Sequence, residues 1–429
     1  MRYFSTNKKD ADVSFRNAVL NGQPSDGGLY FPCEIPKLPD GFWKNFQARL
    51  REQVAFHVMM AFAHDDVESN RLREICAETV DFDFPLVRLD EDIYTLELFH
   101  GPTLAFKDVG ARFISRCVEY FARDTDEPTV ILVATSGDTG GAVAAAFSGT
   151  PGVEVVILFP KEGVSRFQEL QLTTAGDNVH AVEVDGVFDD CQWLVKTAFA
   201  DQTIKDKMRL ISANSINVAR WLPQQFYYFF ALQQWPEIEP PMICVPSGNF
   251  GNIAAGLMAR GRGLPCSGFI AATNSNDAVP KYLGSGVYEP KPSVKTLSNA
   301  MDVGNPSNLV RIQELFGNEF AGLKNGLRSA SISDEETIDT IKDVYSRIGY
   351  VLDPHGAVGY AALRRYLNEN PGPKGIFLET AHPAKFDSVE KIIGQPIPAP
   401  ASRGKAGAER KTRIDNDYET VRELLLKIC

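Results

Sequence analysis

Short apolar runs alternate with amphipathic stretches along most of this chain. Runs at 130–135, 153–159, 179–184, 209–213, 242–246, 268–273 and 375–379 are rich in β-branched and other apolar residues, and segments between them, such as 189–199, space their apolar residues as a helix does. Strands that are apolar throughout are buried on both faces. The alternation therefore predicts parallel sheets flanked by helices, with sites at the carboxyl ends of the strands. The first eighty or so residues differ: helical periodicity over 42–63 and 66–77, after a Gly/Pro-rich turn at 21–28, predicts an N-terminal helical unit ending near Phe84-Pro85. Ser333 and Glu336 form a capping box that starts another helix. The Pro/Ala/Gly-rich stretch 397–407 reads as a linker to a terminal helix at 418–427. The expected organisation is an N-terminal unit at 1–84, a core at 85–396 that alternates strand and helix from about 128, and a linker with C-terminal helix at 397–429.

Two of the strands end in the same chemistry. The run 130–135 leads into Ser136-Gly137-Asp138-Thr139-Gly140-Gly141, and the run 242–246 leads into Ser247-Gly248-Asn249-Phe250-Gly251-Asn252, each followed by Ala-rich helical sequence. A strand, a tight turn and a helix start present unpaired N–H groups at the positive end of a helix dipole, which suits an anion. Two such mouths predict two anionic groups held side by side. Neither turn has the nucleotide-binding spacing G-x-x-x-x-G-K-[ST] or G-x-G-x-x-G.

A reactive lysine is the natural partner for them. In Leu96 to Asp108, Lys107 opens a helical stretch with Phe106 beside it. Desolvation and the adverse field of the helix start both favour the neutral amine, the form that attacks a carbonyl in Schiff-base chemistry.

Charge and composition narrow the partners. The 429 residues carry 44 Lys and Arg against 55 Asp and Glu, a net charge of −11, with no basic block, so nucleic acid is not an expected partner. Positive potential for a phosphorylated metabolite must then be local. The seven cysteines are scattered and never spaced as Cys-x-x-Cys, which predicts free thiols in a reducing compartment. No apolar stretch is long enough to span a bilayer and no signal-peptide core is present, so a cytoplasmic protein without membrane partners is expected. The six histidines lack metal-ligand spacing, so no metal is expected.

Read together, the segments 96–108, 134–140, 245–251, 271–277, 297–303 and 380–386 resemble the threonine synthases, and the likeness runs from Tyr3-Phe4-Ser5-Thr6 to about Gly394. The resemblance implies a fold-type II pyridoxal-phosphate enzyme, similar to the tryptophan synthase β subunit, with two parallel-sheet α/β subdomains behind the N-terminal helical domain, the smaller, at about 128–235, inserted in the larger. It implies that Lys107 binds pyridoxal 5'-phosphate covalently and shuttles protons, that Gly248, Asn249, Phe250 and Asn252 hold the cofactor phosphate, and that Thr380 faces the pyridine nitrogen. A hydroxyl there leaves that nitrogen largely unprotonated. Asn252 departs from the family pattern, which has Asp at that place. Thr135, Ser136, Asp138 and Thr139 would line the substrate mouth. Candidates for the substrate's phosphate are Ser165 and Arg166 with Lys161, and Asn214 and Asn217 with Ser215 and Arg220.

The implied activity is conversion of O-phospho-L-homoserine and water to L-threonine and phosphate, by γ-elimination and addition of water at Cβ, in a monomer or homodimer. A phospholyase or dehydratase on the same fold needs no water addition or no phosphate cradle. A sensor that only binds a phosphorylated metabolite needs no Lys107.

Overall fold

The computed structural model describes residues 1–123, 127–398, 400 and 408–428. Numbered in chain order, its strands are β1 (Arg2–Ser5), β2 (Val13–Ser14), β3 (Tyr30–Pro32), β4 (Leu86–Arg88), β5 (Ile93–Glu97), β6 (Thr129–Ala134), β7 (Val153–Pro160), β8 (Val179–Asp185), β9 (Arg209–Ile211), β10 (Met242–Pro246), β11 (Gly268–Thr273), β12 (Arg328–Ser331), β13 (Gly375–Glu379) and β14 (Thr412–Asp415). They form three sheets.

The larger α/β sheet has the order β12-β11-β10-β13-β5-β4 and is parallel except for the antiparallel edge pair β4 and β5. The smaller has the order β14-β8-β7-β6-β9 and is parallel throughout. Every residue of β6, β10, β11 and β13 is buried, as the unbroken apolar runs require of strands covered on both faces. The edge strand β14 comes from 412–415, in the region that the sequence pattern gave only a linker and a helix, and the terminal helix Tyr418–Ile428 buries Val421 and Leu425 in the same unit.

The N-terminal unit adds a small antiparallel sheet, β2-β1-β3, to the expected helices. The stretch read as one helix over 42–63 is broken: Asp40–Trp43 is a short helix, Asn45 takes a left-handed φ of 56°, and the long helix runs only over Arg51–Ala63. Asparagine tolerates that conformation better than most side chains, which lets the chain turn there without losing the apolar face. No helix among the described residues is long and apolar enough to cross a membrane.

Candidate active site

Lys107 is the first residue of the helix Lys107–Ala122, and the loop before it is held from both sides. Ahead of it, the buried Asp108 carboxylate accepts from the Thr103 N–H at 2.9 Å and from its hydroxyl at 2.5 Å. A β-carbon at Gly101 would lie 2.5 Å from Asp108 Oδ2, so this loop closes only around glycine. Against its other side runs the chain leaving β13. Phe106 N–H donates to Thr380 O at 2.8 Å, His382 N–H donates to Leu104 O at 3.0 Å, and Ala105 bridges Ala381. The Lys107 helix start and the Thr380-to-Phe386 motif are therefore one local structure.

The second Ser-Gly turn leaves β10 into the helix Gly251–Gly261, with Phe250 at a left-handed φ of 60° before it. A β-carbon at Gly248 would lie 2.6 Å from Met301 Cα and 2.7 Å from Ala300 O, so the turn is pressed against the backbone of the 299–301 turn. Asn249 is clamped: its Nδ2 donates to Ser215 Oγ at 3.0 Å, its Oδ1 accepts from Ser307 N–H at 2.6 Å, and its carbonyl accepts from Asn308 Nδ2 at 3.0 Å. Tyr228 Oη lies 2.8 Å from Asn252 Oδ1, while Asn252 Nδ2 is buried without a hydrogen-bond partner. A helix start, a close-packed glycine and an orphaned amide donor together fit a phosphate.

The first Ser-Gly turn leaves β6 with Gly137 at φ 130° and starts the helix Asp138–Phe147. Thr135 braces it: its hydroxyl oxygen accepts the N–H groups of Gly137 at 3.0 Å and Gly140 at 2.8 Å. Both turns, Lys107 and Thr380 line one cavity of about 1950 Å³ between the two α/β sheets, and residues 6–30 of the N-terminal unit supply part of its wall.

The electrostatics of that cavity centre on Asp138. Lys385 Nζ lies 2.7 Å from Asp138 Oδ1, Gln168 Nε2 donates to the same oxygen at 3.0 Å, and Lys107 Nζ lies 3.8 Å from Oδ2. Burial pushes the Asp138 carboxyl up, but Lys385 and Lys107 outweigh it and hold the group far below the usual carboxylate range. Lys107 is displaced downward, chiefly by burial, with Lys385 and Arg220 adding to the effect and Asp138 opposing it. The Phe106 ring centroid is 5.5 Å from Lys107 Nζ.

The phosphate candidates separate in space. Ser136, Thr139, Lys161, Asn214, Ser215 and Arg220 line the cavity. Arg220 is buried with Nε and Nη1 lacking partners, and its desolvation lowers its pKa to about 10. Ser165, Arg166 and Asn217 do not line it. Ser165 caps the helix Arg166–Thr173, Arg166 is exposed and paired with Glu169 and Glu409, and Asn217 spends its amide on Val19 O, Ser212 O and Ala219 N–H.

Lys385, Gln168 and His355 carried no individual role in the sequence pattern. His355 lines the cavity, hydrogen-bonds Asp353 Oδ1 through Nδ1 at 2.6 Å and accepts Ala300 N–H at Nε2, which pins the turn over Gly248. Lys385 alone had a signal, its place in a recognised motif.

Family models match three consecutive regions: "Threonine synthase N terminus" over 2–80, "Pyridoxal-phosphate dependent enzyme" over 82–378 and "Threonine synthase, C-terminal" over 356–425. Among curated relatives, the threonine synthase of Serratia marcescens is 45% identical over 93% of this chain and 92% of its own. That of Escherichia coli K12 is 43% identical over 99% of each. The crystal structure of threonine synthase from Escherichia coli superposes with a TM-score of 0.92 at 42% identity over 100% of both chains. The PLP-bound threonine synthase from Brucella melitensis gives 0.91 at 35% identity over 100% of this chain and 99% of its own. The geometry built around Lys107 and the full-length likeness agree: the chain belongs to the threonine synthase family of pyridoxal 5'-phosphate-dependent lyases.

Proposed function

We propose that this chain converts O-phospho-L-homoserine and water to L-threonine and phosphate in the cytoplasm. The observation that carries the reading is the union, in one cavity, of a desolvated lysine, two helix starts and the Arg220 guanidinium with its Nε and Nη1 unpartnered. Such a set suits a substrate with anionic groups at both ends, positioned against an anionic cofactor.

In this reading Gly248, Asn249, Phe250 and Asn252 would hold the cofactor phosphate, Thr380 would lie on the pyridine-nitrogen side, and Lys107 would hold the aldehyde end. Bound pyridoxal phosphate supplies a conjugated electron sink that makes the Cα and Cβ protons of an amino acid removable. Lys107 Nζ would take the Cα proton and return one at the end. Ser136, Thr139 and the N–H groups of the first turn grip the substrate carboxylate, with Thr135 fixing the turn's shape. Arg220 with Asn214 receives the substrate phosphate and stabilises it as it leaves. Ser165, which caps the helix bearing Gln168, and Asn217, which caps the helix bearing Arg220, support this arrangement from outside the cavity. Orientation at both ends aligns the leaving group, and the wall from the N-terminal unit limits access of water until addition at Cβ.

Incubation with O-phospho-L-homoserine, following phosphate and threonine together, tests this. Equimolar products are expected. Phosphate without threonine means a phospholyase, and failure to turn over at all with ligand binding intact in Lys107→Ala means a sensor.

A further inference from the structure

Two lysines approach one carboxylate at the floor of the cavity. Asp138 Oδ1 is 2.7 Å from Lys385 Nζ, while Oδ2 is 3.8 Å from Lys107 Nζ. Lys385 is 0% exposed and Asp138 5%, against 15% for Lys107. The position of Lys385 is fixed twice over: its ammonium also donates to Thr103 O at 2.8 Å, and Thr103 is itself tied to Asp108. Gln171 Nε2 donates to the same Thr103 carbonyl at 3.0 Å.

We propose that Lys385 is a positioning residue that occupies the Asp138 carboxylate and so leaves Lys107 as the free amine that attacks a carbonyl. The proposal rests on reading Lys107 as the cofactor-holding amine. Imine formation joins Nζ to a carbonyl carbon and releases the carbonyl oxygen with both amine protons as one water, so it requires the unprotonated amine. An isolated buried carboxylate within 4 Å would hold Lys107 as ammonium. With Lys385 in closer contact, the pull of the carboxylate on Lys107 is partly offset and a second positive charge faces Lys107.

The other charged groups facing Lys107 are Arg220 from the helix Val218–Trp221 and Asp353 at the start of the helix Pro354–Glu369. Asp108, the next residue, turns its carboxylate to Thr103. Lys385 also faces Asp108 and His382. None of these approaches Asp138 as Lys385 does. Lys385 therefore offsets the negative charge that would otherwise hold Lys107 as ammonium.

The test measures acylation of the Lys107 amine across a pH series in the cofactor-free protein, with the modified peptide quantified by mass. In Lys385→Met the midpoint should rise, and labelling at a pH below the midpoint should fall about tenfold for each unit of rise. The double variant Asp138→Asn with Lys385→Met should return to the wild-type midpoint, because the carboxylate that held the proton is gone. Should Lys385→Met not fold, Lys385→Gln removes the charge while keeping a donor for Thr103 O, and carries the same expectation. Borohydride reduction of the holoenzyme, with mapping of the adduct, runs in parallel. An unchanged midpoint, or a double variant as high as the single, with the adduct still on Lys107, overturns the role of Lys385 alone. An adduct on another residue overturns the reading of Lys107 and the proposal with it.

Discussion

Arg311 and Tyr30 are joined through one carbonyl: Nε and Nη2 of the fully buried guanidinium both donate to Tyr30 O, at 3.3 and 3.1 Å. The same cation donates to Ser215 O at 2.8 Å, Ile216 O at 2.5 Å and Asn308 Oδ1 at 2.8 Å, and lies 4.3 Å from the Trp221 ring centroid. Desolvation lowers its pKa to about 9. The N-terminal unit, the 214–217 loop and the helix Leu309–Leu315 thus share one rigid fork. Ser215 in turn receives Asn249, so the fork reaches the second Ser-Gly turn. Arg311→Lys keeps a charge but cannot reproduce these planar donations, leaving buried carbonyls unpaired. A stability loss of roughly 2–4 kcal/mol in urea unfolding is expected, with faster cofactor release.

Gly248 makes a sharper prediction, because what stands in the way of a β-carbon is backbone. Met301 Cα at 2.6 Å and Ala300 O at 2.7 Å cannot rotate aside, and His355 pins that turn through Ala300 N–H. Gly248→Ala should therefore push the turn and the 299–301 segment apart, at about 1–3 kcal/mol in stability. The anion cradle moves with the turn, so pyridoxal phosphate affinity, followed by absorbance titration, should fall at least about tenfold.

Arg220 carries an opposed pair of effects. Its unpartnered Nε and Nη1 cost stability in the free protein, which is the condition expected of a group reserved for a ligand. Arg220→Met should raise the melting temperature of the substrate-free protein. It should also lower kcat/KM for O-phospho-L-homoserine by about 100-fold, the scale of one charge-assisted contact to phosphate. Steady-state phosphate release and a thermal melt on the same preparation check both signs. A dehydratase acting on unphosphorylated amino acids would lose little activity.

What the sequence made legible was local. The strands at 242–246, 268–273 and 375–379 are legible with these bounds because each is almost wholly apolar and follows a stretch that contains Pro or Gly. β5, which lies beside β13 in the same sheet, escaped notice because Ile93-Tyr94-Thr95-Leu96-Glu97 mixes polar positions into a run that burial alone makes a strand. Side-chain roles followed the same rule. Lys107 as a desolvated lysine at a helix start is legible from its immediate neighbours. Lys385 reaches Asp138 because a contact with Thr103 across 282 positions holds it there, and nothing in its spacing encodes that. Arg166 looked like a phosphate ligand until folding brought Glu409, 243 positions away, against it.

Glu379 stands immediately before Thr380 and has its own pH signature. It is fully buried, its Oε1 accepts Asp353 N–H at 2.5 Å, and Oε2 has no partner. The acid fits only because residue 356 is glycine: a β-carbon there would lie 1.6 Å from Oε2. Burial raises the pKa of this carboxyl well above 4.5, and the neighbouring Asp353 and Glu97 raise it further. The folded protein thus keeps a proton that the unfolded chain releases once pH passes the ordinary Glu value. Between that value and the raised one, the folded state binds more protons than the unfolded state, so stability declines as pH rises. Glu379→Gln holds the neutral form at every pH and still offers Oε1 to Asp353 N–H. Its melting temperature should match wild type at pH ~4, exceed it at pH ~8, and the gap should widen steadily between the two. A gap constant across that range would mean that Glu379 does not change its protonation on unfolding.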